Sequence, residues 1–421
     1  MSLPTLTTQI AFFTDPDATP AYIDVSSYVM EVSIRRGRQH ELDVAQPGVC
    51  EIKMNNGDRR FDPAYTLSPY YPNVLPMRKI QVTATWNAVV YYLFTGYVER
   101  WPISWEAPKW GSVTLTAVDG MTALAQADIA GDFPLELTGS RISRVLAAAD
   151  WPTSTPVAGG YWVLGTSALG TTTVLSYSTP STVIDVGQSY VPAVTITAGS
   201  GVSALSHIQD VVQAERGMFF IDGQGRSVFQ DRRDRYGTTS TVTFTDDLAT
   251  LSSSRLQYQE LQPDFAIDRV ANEVIVTRTG GTAQTASDAA SRRKYRRRTL
   301  ALSVDLTSDA EAYQRAGFEV ALRKEPKLEF TALTVKPTGQ DFAWPHALGR
   351  ELSDRISVQR TPGSTPAVTA ETINRDVFLE STQHRVAPGR WDTTYQLSSA
   401  SQYDSFWVLG TSALGTATLA Y

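Results

Sequence analysis

Four histidines and one cysteine are all that this 421-residue chain offers of the residues that most often bind transition metals or attack substrates. A lone Cys50 excludes an intramolecular disulfide and a thiolate metal cluster, and it suits folding in a reducing compartment. His40, His207, His346 and His384 stand far apart, and none has a partner at His-Glu-x-x-His spacing. Gly-x-Ser-x-Gly elbows, phosphate loops and dinucleotide fingerprints are missing too. Positive charge is scarce: 37 Lys and Arg against 43 Asp and Glu leave a net charge of −6. That balance argues against general binding to nucleic acid or anionic membrane. No apolar run approaches the roughly 20 residues that span a bilayer. The opening Met1-Ser2-Leu3-Pro4 lacks a secretory pattern. The expectation is a soluble protein made in cytoplasm, not an enzyme, with no cofactor, no metal and no catalytic residues.

What the chain does have is alternation. Ile80, Val82 and Ala84 alternate with polar residues, as do Val113, Leu115 and Ala117, Val274 and Val276, and Ile356 and Val358. Turn signals such as Asn56-Gly57-Asp58, Asp222-Gly223 and Pro362-Gly363 interrupt these runs. Three helices are expected: one face through Ile142, Val145 and Leu146, another through Leu205, Ile208 and Val211, and a third opened by the capping box Ser308-Asp309-Ala310-Glu311 and ended before Pro326. Residues 217–229 read as a hairpin with an Asp-Gly turn. The order strand, turn, strand with Phe and Arg, Trp-containing loop, strand occurs twice, at 78–117 and at 355–397. The expected fold is mainly β with a smaller α+β part: two similar antiparallel β-barrels, 1–128 and 263–405, the latter carrying a helix over 308–325. They flank a helix-hairpin domain at 129–262 with an irregular loop over 152–202.

Three features invite an interaction role. Trp162 to Thr171 returns unchanged as Trp407 to Thr416. Its β-branched and aromatic residues suit strand addition, with Trp162, Val163, Leu164 and Leu169, and again Trp407, Val408, Leu409 and Leu414, as docking contacts. The segment 406–421 is then a C-terminal docking peptide. The run Arg292-Arg293-Lys294-Tyr295-Arg296-Arg297-Arg298 puts six cations around one Tyr. It fits either a phosphate or acidic-partner contact, or a strand entry whose arginines meet acids of a neighbouring subunit. Trp101, Trp105 and Trp110 form a loop cluster suited to a subunit interface.

Several segments resemble the minor tail protein (tail hub, or baseplate hub) family of long-tailed, non-contractile bacteriophages of actinobacteria. They are Asp24–Val29, Arg35–Arg38, Asn55–Pro63, Phe94–Val98, Ala204–Arg232 and Asp268–Val274. The resemblance implies a homotrimeric hub at the distal end of the tail, in the virion. Two barrels per subunit would give six around the tube, enclosing a channel for tape-measure protein and phage DNA. Partners would be distal tail or tail tube proteins, other minor tail proteins and the host cell wall. Alternatives are a hexameric distal tail protein, a glycan-binding protein using Trp162 and Trp407, and a cell-wall-degrading tail protein. Deleting residues 406–421 should leave a folded chain that enters tails less efficiently; a chain that no longer folds would make the segment core structure.

Overall fold

The computed structural model describes residues 3–107, 110–151, 182–236, 238–363 and 371–404, together with the backbone of six short strands within 154–180 and 406–419. Polar–apolar alternation makes strands here because successive side chains face opposite sides of a sheet. The first lobe contains β1 (Thr5–Ile10), β2 (Val29–Gly37), β3 (Gln46–Asn55), β4 (Lys79–Trp86), β5 (Val89–Arg100) and β6 (Trp110–Val118). A middle unit follows, with helices α1 (Thr138–Ala148) and α2 (Ala204–Glu215) and the hairpin β7 (Met218–Ile221) and β8 (Ser227–Gln230). The chain enters a second lobe through β9 (Thr243–Thr245) and β10 (Glu260–Asp264). It then leaves to build β11 (Glu273–Arg278), β12 (Gln284–Ser287), α3 (Ala289–Tyr295), β13 (Thr299–Val304) and α4 (Asp309–Arg323). It returns with β14 (Glu329–Val335), α5 (Trp344–Gly349), β15 (Arg355–Arg360), β16 (Ile373–Ala387) and β17 (Arg390–Ser399).

The repeated order in the sequence has a counterpart in space. The first lobe pairs its strands in the order β1-β4-β5-β6-β3-β2, and the second in the order β9-β15-β16-β17-β14-β10. Taken in chain order, first strand matches first and sixth matches sixth. Only one pairing differs in direction: β1 runs antiparallel to β4, whereas β9 runs parallel to β15. The lobes share one sheet, because β2 pairs antiparallel with β16 from Val32↔Val386 to Gly37↔Ser381. Among the described residues no pairing returns to close either lobe into a barrel.

Close approach at this seam demands a particular residue. Gly37 has φ +103°, and a Cβ there would lie 2.3 Å from the carbonyl oxygen of Glu380. Only glycine meets both conditions. The first-lobe core, built on Ile34, Ile52, Ile80, Phe94 and Leu115, also takes in Trp344, Leu348 and Trp391 from the second lobe. Trp344 sits 5.7 Å from Trp86 and 5.6 Å from Trp391, ring centre to ring centre.

Expected helices and hairpin appear close to their expected places. Ser308 caps α4 by accepting from the Glu311 amide at 3.2 Å. The Glu311 carboxylate, however, takes Thr307 rather than the cap residue's own amide. The segment Glu273–Arg323, read from sequence as part of the second β region, packs elsewhere. Val274, Val276, Val304, Ala312 and Ala316 share a core with Ile142, Ile208 and Phe229 of the middle unit.

His384 lies on the seam strand, buried, with Nδ1 3.1 Å from the Thr393 hydroxyl. Burial, with Arg36 nearby, pushes its imidazole down from 6.5 to about 3. The folded protein therefore keeps His384 neutral while the unfolded chain takes up a proton. Its contribution is intact above pH 6.5 and falls away as pH drops toward 3. Between about pH 7 and pH 5, wild type should lose roughly 2 kcal/mol more stability than His384→Gln. Thermal unfolding across that range would reveal it; parallel pH profiles would mean that the imidazole protonates in place.

Candidate functional site: the three-way junction and the basic segment

The middle unit is keyed into the angle between the lobes through its hairpin tip. Asp222 organises the turn, accepting from the amides of Gln224 and Arg226, each at 2.9 Å. Gly223 then lies so near the first lobe that a Cβ would fall 2.0 Å from the Tyr92 carbonyl oxygen. Arg36 of β2 holds this tip to both lobes. Its guanidinium forks onto Glu351 at 2.8 and 3.1 Å and donates to the carbonyls of Leu93 and Ile221 at 3.1 and 3.3 Å. A planar fork suits that task better than an ammonium would.

Glu380 occupies the second key position, fully buried on β16. It accepts from Arg38 at 2.6 Å, from Arg235 at 2.6 and 3.2 Å, and from the Ser398 hydroxyl at 2.5 Å. Burial alone would raise its carboxyl, but Arg235 and Arg38 outweigh that and hold it well below the ordinary range. The first lobe, the middle unit and the second lobe thus each give one member of a buried ionic triad. A third acid, Glu319 of α4, lies among Arg216 at 3.2 Å, Arg315 at 2.9 Å and Arg323 at 3.3 Å, and Arg323 also reaches Glu41 at 2.8 Å. Burial raises Glu319 and the three arginines overcome it, bringing it down to about 2. Beside it is a cavity of about 100 Å³ lined by Arg38, Glu41, Arg216 and Glu319. Its charges already answer one another, so it offers positioning rather than chemistry.

The basic segment forms α3 and the turn before β13. Three of its cations meet acids of the same chain: Arg292 and Arg297 flank Glu273, and Lys294 lies 3.4 Å from Glu325. Arg293, Arg296 and Arg298 have no acid within ion-pair distance among the described residues. Tyr295 donates to Glu325 at 3.2 Å. The three loop tryptophans separate. Trp101 stacks beside Phe12 and Phe61 at 5.9 and 6.2 Å, whereas Trp105 and Trp110 remain 67% and 45% exposed.

Of the repeated decapeptides, Trp162, Leu169, Val408, Leu409 and Leu414 lie outside the described residues. Val163, Leu164 and Trp407 are described as backbone alone, in short strands paired at 163–166 with 172–175 and at 406–407 with 418–419. Sequence reasoning offered no sign of the Glu380 triad, whose members are separated by more than a hundred residues. It also missed Asp185, Asp231 and Asp234, whose carboxylates lie within 4.8 Å of one another. Three oxygens are the ligand type a hard cation takes. Asp234 is pushed up to about 6 by burial and by its neighbours Asp185 and Asp231. Cys50 is buried, and burial raises its thiol far above the usual range, which makes it an inert core residue.

Several solved structures resemble this chain, two of them as follows. The 43 kDa tail protein of prophage MuSo2 from Shewanella oneidensis superposes with a TM-score of 0.55 and 12% identity, covering 96% of this chain and 98% of its own. A tail protein from Neisseria meningitidis MC58 gives 0.56 and 12%, covering 94% and 96%. No family model and no curated protein matches. At this identity the likeness is one of fold: a mainly β architecture shared with tail proteins.

Replacing Glu380 by Gln should cost about 3 kcal/mol or more, because two guanidinium groups then stay buried around a neutral amide. Asp58→Asn, which breaks the exposed 2.6 Å pair with Arg60, should cost under about 0.5 kcal/mol. Urea unfolding of both variants checks the pair; equal costs would remove the triad from its central place.

Proposed function

We propose that this chain is a structural subunit of a phage tail tip, acting as the trimeric hub that closes the tail tube. The observation carrying this reading is the repetition of one six-strand order in two lobes of a single chain. Three copies would offer six similar lobes, so a closed trimer could meet a sixfold tube with nearly one contact repeated six times. Fold likeness to two tail proteins over at least 94% of the chain supports the same reading. In this role the lobes form a ring around the path of tape-measure protein and DNA. The ring faces distal tail or tail tube proteins on one side and tip proteins on the other. The junction ion pairs serve by fixing the angle between lobes, since a ring closes only if that angle is constant. The copied decapeptides serve as clips on neighbouring surfaces.

Native mass measurement of the purified chain, joined to an image of the tail tip, should count three copies at the distal end. Six copies would make it a distal tail protein. Release of cell-wall fragments by the pure protein, abolished by one carboxylate substitution, would make it a hydrolase.

A further inference from the structure

The seam inside the chain has an unpaired counterpart on its outside. Within one copy, the sixth strand of the first lobe's order, β2, pairs with the third strand of the second lobe's order, β16. The matching strands of the other two positions are β10 and β5. Both have a free edge among the described residues. β10 pairs only with β14. β5 pairs with β4 as far as Tyr97, and from Glu99 onward the edge turned away from β6 carries no strand. The chain continues past β5 as Ile103–Glu106, which pairs with β6 on one side only.

Both free edges are flanked by exposed apolar side chains. Trp105 stands 67% exposed on the first. Phe265 and Ile267, 64% and 40% exposed, follow directly on the second. An open strand edge beside exposed aromatic residues is unstable toward pairing. The acids of β10, Glu260 and Asp264, stand at its two ends. Pro263 withholds one amide, which keeps the pairing short.

We infer that β10 of one copy adds antiparallel to the Glu99–Glu106 arm of the next, repeating between copies the seam that β2 and β16 make within one. The contact is heterologous, so each copy uses one edge of each kind and the series ends only by closing into a ring. Trp105 of one copy would then be covered beside Phe265 of its neighbour. The inference rests on the ring reading above and adds to it the surfaces that touch.

Cys50 is buried, so introduced cysteines are the reactive ones. A full-length variant carrying Ser104→Cys and Gln262→Cys, treated with a short bismaleimide, should link copies into covalent rings, with either single substitution giving none. Trp105→Glu together with Phe265→Glu should weaken association by at least about tenfold. Circular dichroism of each variant confirms that it is folded. An oligomer by native mass that neither cross-links nor weakens would overturn this inference while leaving the ring intact. A wild-type monomer at every concentration would overturn both. Intact rings that lose only binding to a DNA duplex would assign the arm to DNA and likewise overturn it.

Discussion

A buried carboxylate held by two guanidinium groups is affordable only where the geometry is fixed, and Glu380 is fixed from three directions. Arg38 comes from just past β2, Arg235 from the chain leaving the hairpin, and Ser398 from β17. Losing either arginine, or the Ser398 hydroxyl, takes a donor from a carboxylate that water does not reach. The seam beside it depends on the same spot, since Gly37 must pass within contact of the Glu380 carbonyl for β2 and β16 to pair. Continuous sheet and buried ion pairs therefore stand together. An arrangement of this kind costs stability relative to an apolar core, yet it permits only one relative placement of the lobes. In the hub role proposed above, placement would matter more than stability.

The two lobes show how one strand order can serve unlike surroundings. Each runs six strands through the same neighbours, but the second lobe interrupts its order after β10 to build β11 through α4. The apolar side of that insertion packs into the core of the middle unit. The middle unit is thus built from two chain segments, one before β9 and one within the second lobe's order. Glu319 lies where they meet, held by Arg216 from one side and by Arg315 and Arg323 from the other.

Local features are legible in the amino-acid order itself. Period-two alternation places the strands, Ser308 places the start of α4, and Asp222-Gly223 places the hairpin, because each depends on residues close in sequence. The echo between 78–117 and 355–397 is legible for the same reason, and in space it extends to all six strands. Which strands share an edge is not legible in this way. The basic segment reads as a contact for phosphate, an acidic partner or a neighbouring subunit, yet three of its six cations meet Glu273 and Glu325 of the same chain. The three tryptophans read alike, yet Trp101 is packed while Trp105 and Trp110 face outward.

Sequence alone thus determined the mainly β character, the lack of catalytic motifs and the existence of two similar halves. Those follow from composition and short-range pattern, which the unfolded chain already carries. Tertiary structure alone decided the seam between β2 and β16, the ionic triad at Glu380 and the transfer of residues 273–323 to the middle core. Each joins groups far apart in the chain, through contacts that exist only once hydrogen-bond edges and buried charges have found their partners. The free edges of β10 and the Glu99–Glu106 arm belong to this second kind, since an edge is open only relative to the strands that have already paired.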